Sequence, residues 1–210
     1  MATGAGRREA KGERTPRGAA EERVLVAVEE LLREGEAFTT LPVGRIAERA
    51  GVARSSFYFH FPDKQTLLRG LAASVTDSLF DPVRAWVAEP ENDRDGLVTT
   101  VGEVLVVLRR HGALVAAFLE VAAYDAEFAD YWRARMAEII GELAGRLEQD
   151  RAAGRLPADL ETEAVAAYLV WGAERTMVQA VATDPSGADD GRIARGIAQA
   201  MWAVMGPRAA

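Results

Sequence analysis

Apolar positions recur three and four residues apart along most of this chain, the period of helices with one buried face. Between residues 19 and 34, Val24, Leu25, Val28, Leu31 and Leu32 form one stripe, with Glu21, Glu22, Glu29, Glu30 and Arg33 opposite. A shorter helix follows Pro42, carrying Val43, Ile46, Ala47 and Ala50 and stopping at Gly51. Proline suits a first helical residue, whose N–H would have no partner, and glycine suits a left-handed stop. Arg54 to His60 make a second short helix, ended by Phe61-Pro62 because the residue before proline leaves the α region. Asp63 is placed to cap a longer helix to about Phe80, with Leu67, Leu68, Leu71 and Val75 inward. Asp81-Pro82 marks a kink or break, and Val83, Trp86 and Val87 extend the apolar pattern. Residues 89–96 read as a loop, and five more helices are expected at 97–110, 112–123, 126–153, 159–183 and 188–205. The pattern predicts about nine helices, no strand and no repeat, an all-α fold.

Two short helices joined at a glycine read as a helix-turn-helix. If Phe57 and Phe61 point inward, the second helix presents Arg54, Ser55, Ser56, Tyr58 and Phe59 outward. Arginine can grip a guanine edge, hydroxyls meet phosphates and aromatic rings touch thymine methyls, so that surface suits a DNA groove. The plain alternative is a helical hairpin whose aromatics fill core.

Charge sharpens this picture. The net charge is −7, which argues against DNA for the whole molecule. Residues 41–70, however, hold five basic against two acidic side chains, while residues 71–210 hold 13 against 22. A basic patch on an acidic body lets one face meet phosphate. Residues 1–18 carry Arg7, Arg8, Lys11, Arg14 and Arg17 with little to bury, and read as a disordered basic arm. Such an arm either follows DNA into the minor groove or is an inert tail.

The stretch GVARSSFYFHFPDKQTLL resembles the operator-binding segment of TetR-family transcription regulators. Gly51, Val52, Phe57, Tyr58, His60, Phe61, Lys64 and Leu67 match in register, and Ala53 stands where serine is usual. A weaker resemblance over the rest of the chain is to the EthR-like branch, through FYF-x-FP, Glu174-Arg175-Thr176 and a tryptophan in the last helix. The resemblance implies a homodimeric regulator bound to double-stranded operator DNA, most simply a repressor released by a hydrophobic small molecule. It places Arg54, Ser55, Tyr58 and Phe59 in the major groove, with Ser56, Tyr58, His60 and Lys64 on phosphates and Arg45 flanking them. Pro42 replaces the Ser or Thr of many relatives, so one capping and phosphate contact is expected to be missing.

A helix-turn-helix head would span residues 19–62, leaving 63–210 as a body for ligand binding and dimerisation, with 63–80 as the link. Leu97, Val104, Leu108, Trp132, Met136, Trp171, Ala173, Glu174 and Trp202 are the candidate ligand residues. Tryptophans and methionines among small residues suit a deformable pocket, although each also suits plain core. In the EthR-like branch an amide side chain precedes the glutamate and another lies a turn earlier. Here those positions are Ala173 and Val170, so a different ligand chemistry is expected. Ile193, Ile197, Ala200, Met201 and Val204, facing Val165, Leu169, Gly172, Ala173 and Val181, read as a dimer surface on the last two helices.

Several classes drop out. Without cysteine there is no disulfide, Cys-based zinc site or thiol catalysis, and two distant histidines make a metal site or metal cofactor unexpected. No apolar run approaches the ~18–20 residues of a membrane span, and the N-terminus lacks a signal-peptide core, so a cytoplasmic location is expected. An enzyme is the second reading, but no pair of groups has the spacing of a catalytic set. A helical small-molecule-binding protein without DNA binding is the third.

Overall fold

In the computed structural model, residues 16–184 and 186–206 are described. Among them there are eight helices and no strand. These are α1 (Pro16–Arg33), α2 (Val43–Arg49), α3 (Arg54–His60), α4 (Lys64–Ala88), α5 (Arg94–Ala122), α6 (Ala126–Ala152), α7 (Thr162–Thr183) and α8 (Asp190–Met205). The expected basic arm falls on residues 1–15, outside the described residues, and on residues 16–18, which belong to α1.

The count differs from nine at one place. The helices expected at 97–110 and 112–123 run on as α5, bent at His111, whose φ of −110° and ψ of 17° leave the helical region. Pro82 does not break α4 either. It forgoes the bond to the carbonyl of Ser78, but apolar packing of Leu79, Phe80 and Trp86 carries the helix on to Ala88.

Local signals account for the head. After α2, Gly51 takes φ +62°, its N–H bonds to the Glu48 carbonyl at 3.1 Å, and that of Val52 to the Ala47 carbonyl at 3.0 Å. That paired arrangement closes a helix with a left-handed residue, which glycine adopts without steric cost. Pro42 sits one place before α2, at the N-cap, with no side-chain capping bond. Asp63 caps α4 by accepting from the Thr66 N–H at 2.6 Å, which holds its carboxyl below the usual range. Val24, Val28, Leu31, Ile46, Phe57 and Leu67 are buried together and fix α1, α2 and α3 on the start of α4. The body packs α4 against α5 and α6, α6 against α7, and α5 against α8.

Candidate DNA interface and ligand cavity

Helix α3 is amphipathic over barely two turns. Phe57 is fully buried, lies 5.7 Å from the Phe61 ring and anchors the helix from below. Arg54, Ser55, Tyr58 and Phe59 are exposed, and Ser56 and His60 half-buried. Large aromatics left 44% and 65% exposed, as Tyr58 and Phe59 are, do not stabilise a monomer's core. Arg45 is also exposed, with Glu36 and Glu48 carboxylates at 3.5 and 3.7 Å.

Lys64 has a different environment from the open cation that the sequence led us to expect. Its ammonium donates to the carbonyls of Phe38 at 2.5 Å and Thr39 at 3.1 Å, and lies 4.8 Å from the Phe38 ring centre. Burial lowers its pKa. Two of its three donors therefore hold the loop between α1 and α2. Lys64→Ala is expected to lower the stability of the protein by ~1.5–3 kcal/mol, the range for hydrogen bonds to charged groups, as read by denaturant titration. Tyr58→Ala should leave stability unchanged and weaken DNA binding. Equal losses of stability in both variants would contradict this division.

The body encloses a cavity of about 110 Å³ whose surface is almost wholly apolar. Helix α4 supplies Thr76, Leu79, Phe80, Val83, Trp86 and Val87, and α5 supplies Leu97, Thr100, Val101, Val104, Leu108 and Val115. Trp132, Met136, Ile139 and Leu143 come from α6, and Val170, Ala173, Glu174, Met177 and Val178 from α7, with Met201 from α8. Leu97, Val104, Leu108, Trp132, Met136, Ala173 and Glu174 thus meet around one void.

Trp171 and Trp202 do not line it. On α7 the cavity stripe is Val170, Ala173, Glu174, Met177 and Val178, and Trp171, about 100° from Val170, turns outward. Trp202 packs edge-on against Trp86, ring centres 6.5 Å apart, behind the cavity wall. The contribution of α4 was the part missed by sequence reasoning. Its apolar pattern continuing past Pro82 was the available signal.

Two polar groups matter at this void. The indole N–H of Trp132 is buried without an acceptor among the described residues. Glu174 is half-buried, and desolvation raises its pKa against the opposing pull of Arg175. An anion would be disfavoured beside Glu174. Among the described residues no cluster of three His, Asp or Glu could hold a metal ion, and no helix is long and apolar enough to cross a membrane.

The expected dimer stripe is split by the packing. Ile197 is buried and Met201 lines the cavity, because α8 lies on α5 through this face. Leu169 is likewise buried and Ala173 faces the cavity. Ala200 and Val204 on α8 and Gly172 on α7, which belong to that stripe, do face outward, beside Gly196, Ala203, Tyr168 and Trp171.

A short head with an exposed helix, joined by one long helix to a body around an apolar void, defines a helix-turn-helix regulator. Residues 97–203 match the family described as the transcriptional regulator EthR C-terminal domain, and residues 26–71 match the tetR family of bacterial regulatory proteins. The chain belongs to the TetR family of transcriptional regulators, with a C-terminal domain of the EthR type. It is 28% identical over 194 residues to the HTH-type transcriptional regulator EthR of Mycolicibacterium smegmatis, covering 89% of this chain and 88% of that protein. To EthR of Mycobacterium tuberculosis it is 26% identical over 187 residues, covering 87% of each. Among solved structures, the fatty acid degradation regulator FadR from Bacillus halodurans superposes with a TM-score of 0.75 at 18% identity, over 94% of this chain and 100% of that one. FadR from Bacillus subtilis, in complex with stearoyl-CoA, gives 0.72 at 18% identity, over 86% and 96%. These two likenesses show the fold.

Proposed function

We propose that this regulator is a homodimeric repressor that a neutral, largely apolar small molecule releases from its operator. The apolar cavity in the body carries the reading. Its wall includes α4, and the same helix begins beneath the DNA-facing α3. A molecule that presses on α4 or α5 has a direct path to the head. At about 110 Å³ the cavity holds less than the ~150 Å³ that takes benzene, so an elongated effector must widen it. That widening is what would favour the DNA-incompetent state. FadR of B. subtilis, which shares the fold, was solved in complex with stearoyl-CoA, a ligand with an apolar portion.

In this reading residues 19–62 form the DNA-binding head and 63–210 the ligand-binding and dimerisation body. Arg54, Ser55, Tyr58 and Phe59 enter the major groove, and Ser56, His60 and Arg45 lie along phosphates. Lys64 acts mainly by holding the α1–α2 loop, with one donor left for a phosphate. Leu97, Val104, Leu108, Trp132, Met136, Ala173 and Glu174 surround the effector. The outward faces of α7 and α8 pair about a two-fold axis into a four-helix contact. Dimerisation sets the heads ~34–36 Å apart for successive major grooves.

The test begins by selecting a duplex from random DNA with the purified protein. A two-fold symmetric site is expected. Neutral apolar compounds that raise the melting temperature of the free protein should dissociate that duplex over the same concentrations. Failure to select any sequence would favour a binding protein without DNA recognition.

A further inference from the structure

The DNA-binding head meets the body chiefly where α1 packs on α5, apart from the continuous run of α4. Those two routes differ in how they are fastened.

Helix α4 is bolted to α6 along its length. Gln65 donates to Asp125 at 2.6 Å, Tyr131 to the Arg69 carbonyl at 3.2 Å, Arg135 to the Thr76 hydroxyl at 3.0 Å and Arg84 to Glu142 at 2.9 Å. The cavity-lining half of α5 has no such fastening. Among the described residues, the side chains of 97–108 make hydrogen bonds only within their own helix, through Thr99 and Thr100. The rest of that wall is apolar contact. When the cavity widens, this wall is therefore free to yield, as is the stretch 170–178 of α7, whose one side-chain hydrogen bond among the described residues also stays within its helix.

The yielding segment ends at a fixed point. Arg109 grips Asp190 with two bonds of 2.5 Å and the Asp184 carbonyl with one of 2.7 Å. Two residues on is the bend at His111. His111 Nδ1 lies 2.9 Å from Glu29 Oε1 on α1, and both atoms are buried. The pair is close but not aligned as a hydrogen bond, and Arg33 Nη2 stands 3.1 Å from the same oxygen. A buried polar contact that is short but misaligned is sensitive to a small rotation.

We propose that His111 and Glu29 are the positioning residues that pass cavity occupation to the DNA-binding head. Outward movement of residues 97–108 pivots at Arg109, turns the bend, and drives the imidazole against Glu29. Helix α1, and with it α2 and α3, shifts relative to the body. This rests on the cavity being the sensor.

Built-in occupants test it without an identified effector. Thr100→Phe and Val104→Trp each place a ring in the void. On the selected duplex, each filling substitution should weaken binding at least tenfold in the otherwise unchanged protein. With His111→Phe or Glu29→Gln added, the same filling should weaken it less than threefold. His111→Gln, which keeps a donor, should retain most of the tenfold effect. Amide exchange in α1 should rise on filling only where the pair is intact. Filling that weakens DNA binding equally with and without the pair would overturn the coupling and leave the sensor standing. Filling without any effect on the otherwise unchanged protein would overturn both.

Discussion

Phe57→Ala is expected to remove sequence-specific DNA binding altogether, by loosening the head. Phe57 is fully buried on a helix only seven residues long, which packs on α1 and α2. A helix that short has almost no stability of its own and stands only by the face it buries. Truncating a buried phenylalanine costs ~3–5 kcal/mol, from lost transfer energy and the cavity left behind. Phe61, its neighbour in the same contact, cannot move to fill the gap without undoing the turn before Pro62. Thermal unfolding should show an early transition for the head, and the body should keep its cavity and its assembly. Tyr58→Ala, on the opposite face of the same helix, should weaken DNA binding with no such transition. A Phe57→Ala protein that melts and binds as before would mean that α3 is held by something else.

Val204→Glu is expected to convert the dimer to monomers. Val204 is 38% exposed in the single chain, beside Ala200 and Ala203 on the outward face of α8. In the proposed four-helix contact the carboxylate would be buried without a partner. The order of cost is ~3–5 kcal/mol, as for a buried charge left unpaired. Sedimentation should show the monomer, and affinity for the symmetric duplex should fall by a factor of 100 or more, since each head then binds alone. Ile197→Glu would not be a clean probe of the same surface. Its side chain is buried inside the chain, so a charge there should unfold α8 from α5. A Val204→Glu protein that stays dimeric places the contact elsewhere.

The parts of this molecule that were legible in the sequence depend on neighbours within a few residues. The Gly51 stop, the Asp63 cap, the end of α3 before Pro62 and the inward set of α1 all follow from backbone rules and one-sided periodicity. Of the kink or break expected at Asp81-Pro82, the break did not follow, because packing of Leu79, Phe80 and Trp86 outweighs one lost hydrogen bond. The bend at His111 was visible only as the gap between the helices expected at 97–110 and 112–123, not as a bend within a continuing helix. Seven of the nine candidate cavity residues do surround a void. Trp171 and Trp202 do not, since α7 and α8 each touch the body on more than one side, and composition does not say which apolar side chain faces the cavity. The same ambiguity split the expected dimer stripe at Ile197 and Met201. Lys64 is a plain cation in the sequence, and only folding brings the Phe38 and Thr39 carbonyls to it.

The central claim is that one cavity senses an apolar effector and that its occupation lowers operator affinity. Equal affinity of the effector for both states would shift nothing, so the claim is one of coupling. The direct measurement is operator affinity with and without a stabilising apolar compound, in the unchanged protein and in Ala173→Trp. In the unchanged protein the compound should weaken operator binding, and the operator should weaken compound binding by the same factor. The indole of Ala173→Trp fills the same void as Thr100→Phe and Val104→Trp, so this variant should start from a weaker operator affinity, and adding the compound should lower it no further. If the compound stabilises both proteins alike and releases the operator from both, the effector acts outside this cavity and the account of sensing is wrong.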